Sequence, residues 1–144
     1  AVSPPVAPTH YIAYHDGAWK PLAECSVPVN THALQYGTGC FEGIRAYWNG
    51  QRMNLLLLNE HVRRLHRNAS MLLMKPPAAE EMAEIAKELL RRNTPGRNVY
   101  LRPLMYKSGT GLGPVLLGVP DAFLCYLMPL GDYDFSRRYA WVND

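Results

Sequence analysis

The sequence HALQYGTGCFEGIRAY, residues 32–47, mixes permissive and rigid residues in a way that neither a plain helix nor a plain strand does. Three glycines lie within seven residues, at positions 37, 39 and 43, among the rings of Tyr36, Phe41 and Tyr47. Glycine allows tight turns and close approach of neighbouring groups, whereas large rings need fixed surroundings. The segment therefore predicts an irregular, ring-bearing loop suited to a binding site.

Alternating residues predict that this loop runs into a strand. Asn49-Gly50 is typical of a hairpin turn and predicts a second strand over residues 52–58. From Glu42 onward, one face of the first strand carries apolar side chains: Ile44, Ala46 and Trp48.

Two helices are predicted next. Asn59 is a good N-cap, and Glu60 places a negative charge in the first turn. Pro76-Pro77 ends this helix, and a second one is predicted over residues 78–92. Apolar side chains recur at helical spacing in both helices: Val62, Leu65, Ala69, Leu72 and Leu73, then Met82, Ile85, Ala86, Leu89 and Leu90.

The rest of the chain adds strands and a glycine-rich loop. Residues 11–21 predict a hairpin around Asp16-Gly17 at the edge of a sheet. Pro103 marks an edge or a bulge in its strand, and residues 108–114 form the glycine-rich loop. Longer strands are predicted over 98–106 and 122–128. These patterns predict an α+β domain with a loop-borne site.

The overall composition suits one globular domain. The 144 residues are 48% hydrophobic with a formal net charge of +3, and the basic residues form no continuous stripe, so nucleic acid is not predicted as a partner. No run approaches the roughly 18 apolar residues of a membrane span, and no secretory signal is recognisable. The widely spaced Cys25, Cys40 and Cys125 predict reduced thiols in a cytoplasmic protein, with no disulfide and no metal site.

Four motifs follow one another along the chain: HALQYGTGCFEGIRAY at 32–47, NEHVRRLHRNA at 59–69, VYLRPLMY at 99–106 and SGTGLGP at 108–114. In this order and spacing they resemble the fold-type IV, pyridoxal-phosphate-dependent aminotransferases, and within them the branched-chain amino-acid aminotransferases. The resemblance implies the small N-terminal domain of that fold, with a mixed or antiparallel sheet and two main helices. It also implies transamination of Leu, Ile and Val with 2-oxoglutarate, using pyridoxal 5'-phosphate.

The chain divides into four parts. The prolines of residues 1–10 predict an extended or disordered lead-in, and the resemblance, which begins near Tyr11, implies that residues 11–129 are the small domain. Residues 130–136 match an interdomain loop, and residues 137–144 match the start of a large second domain.

Several site residues are implied by the same resemblance. Arg64 matches the arginine that grips the cofactor phosphate, and a guanidinium fork suits a dianionic phosphate. Tyr36 and Phe41 match rings that wall the pocket for an aliphatic side chain. Tyr100 and Arg102 match the groups that hold the α-carboxylate of the substrate and the side-chain carboxylate of glutamate.

Two loops complete the implied site. The resemblance implies that Pro114 lies in a loop that covers the substrate of the partner subunit, and that Tyr133 lies in an interdomain loop that closes on substrate. A tyrosine at the position of Tyr36 often reaches the neighbouring subunit, so the resemblance implies a homodimer. The glycine-rich loop lacks the Lys-Ser/Thr ending of a phosphate-binding P-loop.

The motifs contain no candidate for the Schiff-base lysine that transamination requires. In the resembled family this lysine lies in the second domain, and Lys20, Lys75, Lys87 and Lys107 fall outside all four motifs. We therefore expect the 144-residue chain alone to be inactive.

Two alternatives remain open from the sequence. One is a sibling enzyme of the same fold, either an aminodeoxychorismate lyase or a D-amino-acid aminotransferase. The other is a non-catalytic binding or dimerisation module, although Arg64, Tyr100 and Arg102 would then have no ligand to hold.

Overall fold

A seven-stranded sheet forms the framework of residues 8–130, the part of the chain that the computed structural model describes. Its strands are β1 (Ile12–His15), β2 (Ala18–Pro21), β3 (Gly39–Phe41), β4 (Ile44–Trp48), β5 (Met53–Leu55), β6 (Val99–Lys107) and β7 (Asp121–Pro129). They follow the order β2-β1-β7-β6-β4-β5, with β3 pairing β6. Every pairing in this range is antiparallel.

Two main helices accompany the sheet, as predicted, and the α+β fold class is confirmed. A five-residue helix and a short 3-10 turn precede them. The helices are α1 (His32–Tyr36), α2 (Leu58–Met71) and α3 (Ala79–Asn93), and the 3-10 turn is Leu22–Glu24. The hairpin β1–β2 is also confirmed at the sheet edge, with positive φ at both Asp16 and Gly17, as its tight turn requires.

The core lies between the sheet and the helices α2 and α3. Side chains of β6 alternate in burial: Val99 and Leu101 are fully buried against the helices, whereas Tyr100 and Arg102 are half-buried on the other side. We call the first side of the sheet the helix face. The opposite side, which carries Phe41, Tyr100 and Arg102, is the site face. The predicted apolar stripe of α3 is buried in full.

The ends of α2 differ from the sequence prediction. Asn59 is not the N-cap, because the helix begins at Leu58 and Leu57 precedes it in the left-handed conformation. The strand before it is also shorter than predicted, ending at Leu55. At the other end the helix stops at Met71, and Leu73, predicted on the apolar stripe, has φ 57° and is 54% exposed.

Pro103 lies in the middle of the central strand β6, so the predicted edge or bulge is wrong. Phe41 pairs with Leu104 and Ile44 pairs with Leu101. Two residues therefore lie between these pairs on each side, and neither strand carries the extra residue of a bulge. The carbonyl of Pro103 accepts a hydrogen bond from the Glu42 N–H at 3.0 Å. Because N–H and C=O of one residue point to the same neighbouring strand, the N–H that proline lacks would face the break between β3 and β4.

No helix within residues 8–130 is long and apolar enough to cross a membrane. The three cysteines are free thiols in the structure. Cys125 is buried in the core, and this burial raises its pKa to about 12.

Candidate active site

Three of the predicted site residues meet on the site face. The Arg102 guanidinium lies over the Phe41 ring, 3.9 Å from its centroid, and its Nη2 donates a hydrogen bond to the Tyr100 hydroxyl at 2.9 Å. Since that hydroxyl accepts from arginine, its own proton remains available for another acceptor. Arg102 Nε is buried without a hydrogen-bond partner, and no carboxylate in residues 8–130 pairs with this cation. The arrangement offers a positive charge and an apolar ring side by side.

Gly43 leaves the space that Tyr100 occupies. A Cβ at position 43 would lie 2.6 Å from Tyr100 Cζ and 2.8 Å from Cε2, and would overlap the hydroxyl oxygen. These separations are well inside van der Waals contact, so any side chain here would displace the ring. Gly43 is therefore needed for close approach rather than for a tight turn.

Arg64 lies on α2 and is held by a buried carboxylate. Glu42 is 5% exposed; its Oε1 accepts from Arg64 Nε at 2.5 Å and its Oε2 from Arg64 Nη2 at 2.6 Å. His61 Nδ1 also lies 2.9 Å from Oε2. Burial alone would raise the pKa of Glu42, but the hydrogen bonds and charges of Arg64 and His61 outweigh it and lower the pKa. Glu42 in turn raises the pKa of Arg64.

Tyr36 and the glycine-rich loop form a separate group. The Tyr36 hydroxyl accepts from the backbone N–H of Gly113 at 2.7 Å, and His32 Nε2 donates to the Gly113 carbonyl at 2.9 Å. Because a carbonyl only accepts, Nε2 carries the proton, and in the neutral ring Nδ1 accepts from Thr38 Oγ1 at 2.7 Å. Pro114, exposed and next to Gly113, is thus fixed through its neighbour.

The predicted residues therefore fall into three groups. Phe41, Tyr100 and Arg102 contact one another, Arg64 binds Glu42, and Tyr36 binds the loop beside Pro114. Tyr133 lies outside the described residues and stays a prediction.

The three consecutive residues Phe41, Glu42 and Gly43 each serve a different site residue. Phe41 stacks under Arg102, Glu42 holds Arg64, and Gly43 makes room for Tyr100. Sequence reasoning missed the last two of these roles, as well as His32 and His61. One signal was available: an acid and a glycine between apolar residues fit neither face of a simple strand.

None of the four lysines is placed to join the Phe41 group. Lys107 is 1% exposed on the helix face, where its Nζ donates to the carbonyls of Leu73 and Val119. Lys87 pairs with a neighbouring glutamate on α3, Lys20 lies in β2, and Lys75 follows α2. Residues 8–130 also contain no cluster of histidine, cysteine or acidic side chains that could hold a metal ion.

Known proteins match this chain in sequence and in fold. The family described as amino-transferase class IV matches residues 39–137. A probable branched-chain-amino-acid aminotransferase of Aquifex aeolicus (strain VF5) is 39% identical over 124 residues, which are 84% of this chain and 40% of the relative.

Two solved structures share the fold. The branched-chain aminotransferase of Thermoproteus uzoniensis with norvaline aligns with a TM-score of 0.79 and 33% identity over 83% of this chain and 41% of that one. The branched-chain amino acid aminotransferase from T.th., complexed with N-(5'-phosphopyridoxyl)-L-glutamate, has a TM-score of 0.78 and 38% identity, over 85% and 41%.

This chain spans about 40% of the length of these relatives and corresponds to their N-terminal part. The family match covers more than half of its residues, and the sheet and helices agree with the solved structures. The chain belongs to the class IV aminotransferase family.

Proposed function

We propose that this chain is the N-terminal part of an enzyme that transfers the amino group of Leu, Ile or Val to 2-oxoglutarate with pyridoxal 5'-phosphate. We further propose that the enzyme is a cytoplasmic homodimer. The domain boundaries implied by the resemblance, including the interdomain loop at 130–136 and its Tyr133, belong to the same proposal.

The observation that carries this proposal is the Arg102 cation, which has no carboxylate partner in residues 8–130 and is stacked on the Phe41 ring. Such an enzyme must accept an aliphatic side chain and, in the other half of its reaction, the carboxylate of glutamate. The ring suits the first and the guanidinium the second, so one wall of the site can serve both substrates. Tyr100, whose hydroxyl proton is available, suits the α-carboxylate that both substrates share.

The residues present also fit the cofactor. Arg64 uses Nε and one N–H of Nη2 on Glu42, which leaves its remaining N–H groups directed away from that carboxylate. Its side chain is 55% exposed, so a phosphate can reach it. When bound, pyridoxal phosphate supplies the electron sink that loosens the α-proton of the amino acid.

The four lysines lie elsewhere, so we propose that the proton-moving lysine comes from a part of the enzyme outside these 144 residues. The T.th. relative, whose structure is described as a phosphopyridoxyl-glutamate complex, supports both the cofactor and glutamate as ligands. The norvaline of the Thermoproteus uzoniensis structure supports an aliphatic amino acid.

The grouping of the side chains supports the dimer. The resemblance assigns Tyr36 and Pro114 to a site shared with a partner subunit, and Tyr36 binds the backbone of Gly113, the residue before Pro114. The loop next to them exposes three large apolar side chains: Leu112 at 98%, Val115 at 62% and Leu117 at 77%. A second subunit would cover such a surface.

The test is a substrate panel on the complete natural protein that carries this chain. With pyridoxal phosphate and 2-oxoglutarate we expect glutamate to form from L-leucine, L-isoleucine and L-valine, and not from D-alanine, while aminodeoxychorismate is left unchanged. The 144-residue chain by itself should give no turnover. Preference for D-alanine or for aminodeoxychorismate would replace the proposal with a sibling activity, and turnover by the short chain would refute the placement of the lysine.

A further inference from the structure

The strongest unexplained feature is a buried acid, Glu42, whose main partner is an exposed arginine. Both carboxylate oxygens are used: Oε1 by Arg64 Nε, and Oε2 by Arg64 Nη2 and His61 Nδ1. Glu42 is 5% exposed and the Arg64 side chain 55%. Burying the Glu42 carboxylate costs solvation free energy, and the contacts with Arg64 and His61 offset that cost, so the pair adds little net stability to the fold. Stability alone therefore does not explain the arrangement.

The geometry restricts Arg64 far more than a surface arginine is normally restricted. A free arginine side chain samples many rotamers, and a ligand that binds it must overcome the entropy of that motion. The two-point contact with Glu42 fixes the plane of the guanidinium before any ligand arrives. Beside it lies a cavity lined by Leu57, Glu60, His61, Arg63, Arg64 and Arg67.

His61 fixes Glu42 in turn. A carboxylate that already binds arginine only accepts hydrogen bonds, so His61 Nδ1 carries the proton in the 2.9 Å contact. His61 and Arg64 are three residues apart on α2 and therefore share one helix face. The acid is thus held from two points on the same helix.

We propose that Glu42, supported by His61, is a positioning residue that orients Arg64 for the phosphate group of the cofactor. This inference rests on the proposed function, since it takes pyridoxal phosphate as the ligand of Arg64. It assigns Glu42 no contact with cofactor or substrate. The cavity beside Arg64, with three arginines and one acid in its lining, has the charge that a phosphate requires.

The test compares two cofactor forms on the complete natural protein. Pyridoxal 5'-phosphate and pyridoxal differ only in the phosphate, so the ratio of their dissociation constants measures how much the phosphate contributes to binding. In Glu42→Gln we expect binding of the phosphorylated form to weaken about tenfold, while binding of pyridoxal changes less than about twofold. Loss of a negative charge alone would strengthen phosphate binding, so a loss of affinity separates orientation from charge.

Glu60→Gln is the matched control, because it removes one negative charge from the lining of the same cavity while the Glu42–Arg64 contact stays intact. We expect it to tighten binding of the phosphorylated form by less than about twofold, as loss of a nearby negative charge predicts, and to leave the affinity for pyridoxal unchanged. His61→Gln should give a selective loss of about threefold and serves as the second variant if Glu42→Gln does not fold.

Three results would overturn the inference. Equal weakening of both cofactor forms in Glu42→Gln would mean a purely structural role, and no weakening would mean that Arg64 needs no orientation. In both cases the proposed function stands. If the unmodified protein binds pyridoxal phosphate no better than pyridoxal, the cofactor part of the proposed function fails together with the inference.

Discussion

The two faces of strand β6 differ in role: one packs in the core and the other carries candidate site residues. On the helix face Val99 and Leu101 are fully buried among apolar neighbours. On the site face Tyr100 and Arg102 are half-buried, and Arg102 keeps a buried N–H without a partner. Since side chains alternate along a strand, one segment can anchor the fold with every second residue and leave the others for ligands. Alternate residues of the same strand therefore serve stability and ligand binding separately.

The largest effect is expected from Leu101→Ala on the helix face. Leu101 is 0% exposed, so its truncation leaves a cavity and should lower the free energy of unfolding by about 3 kcal/mol. Urea denaturation of the 144-residue chain measures it. Leu104→Ala, on the same strand but half-buried on the site face, is the control and should cost about 1 kcal/mol. Equal losses of stability in the two variants would contradict the proposed difference between the two faces.

Gly43→Ala tests how tightly the site face is packed. The added Cβ would collide with the Tyr100 ring, so we expect a loss of about 2 kcal/mol in stability. In the complete protein the affinity for amino-acid substrates should also fall, because Tyr100 and Arg102 move together. Gly111→Ala, where a Cβ meets nothing within 4 Å, should stay within about 0.5 kcal/mol. A neutral Gly43→Ala would show that the ring has room to shift.

The ion pair of Glu42 should make stability depend on acid pH. Because its pKa is lowered in the folded state, the stabilisation is complete above the ordinary value of 4.5 and is lost as pH falls through the folded value. We expect the stability advantage of the unmodified chain over Glu42→Gln to shrink as pH falls from about 7 to about 3. Thermal unfolding at several pH values measures this, and an advantage that is constant with pH contradicts it.

Arg102→Leu tests the site face of β6. We expect it to have the smallest effect on stability and the largest effect on substrate binding. Arg102 has no ion-pair partner in residues 8–130, so stability should change by less than about 1 kcal/mol. In the complete protein the KM for 2-oxoglutarate should rise at least about tenfold, with little change for leucine. Arg97→Leu, an exposed loop residue, should change neither. Equal losses for both substrates would remove the proposed role.

Local patterns predicted most of the fold. The apolar stripe of α3, the β1–β2 hairpin and the alternation around Tyr100 and Arg102 are short-range signals, and each is confirmed. The N-terminus of α2 was missed because Leu57 takes a left-handed conformation that favours glycine, so nothing in its residue type marks the helix start.

The site was predicted only in part, for a related reason. The family resemblance predicted four site residues: Phe41, Arg64, Tyr100 and Arg102. It did not predict the residues that hold them in place. Glu42 meets Arg64 across 22 positions of sequence, and Gly43 meets Tyr100 on another strand. Such contacts arise from the sheet topology, which propensity and periodicity do not encode.

Pro103 has a consequence for how this fold can vary. Opposite it, between β3 and β4, Glu42 and Gly43 stand outside the regular ladder, and the Glu42 N–H ties them to the sheet through the Pro103 carbonyl. Substitutions at these two positions would therefore act directly on the contacts of Arg64 and Tyr100, whereas the residues that pair β3 and β4 with β6 are others. The geometry of the site thus depends on two residues that take no part in the strand pairing.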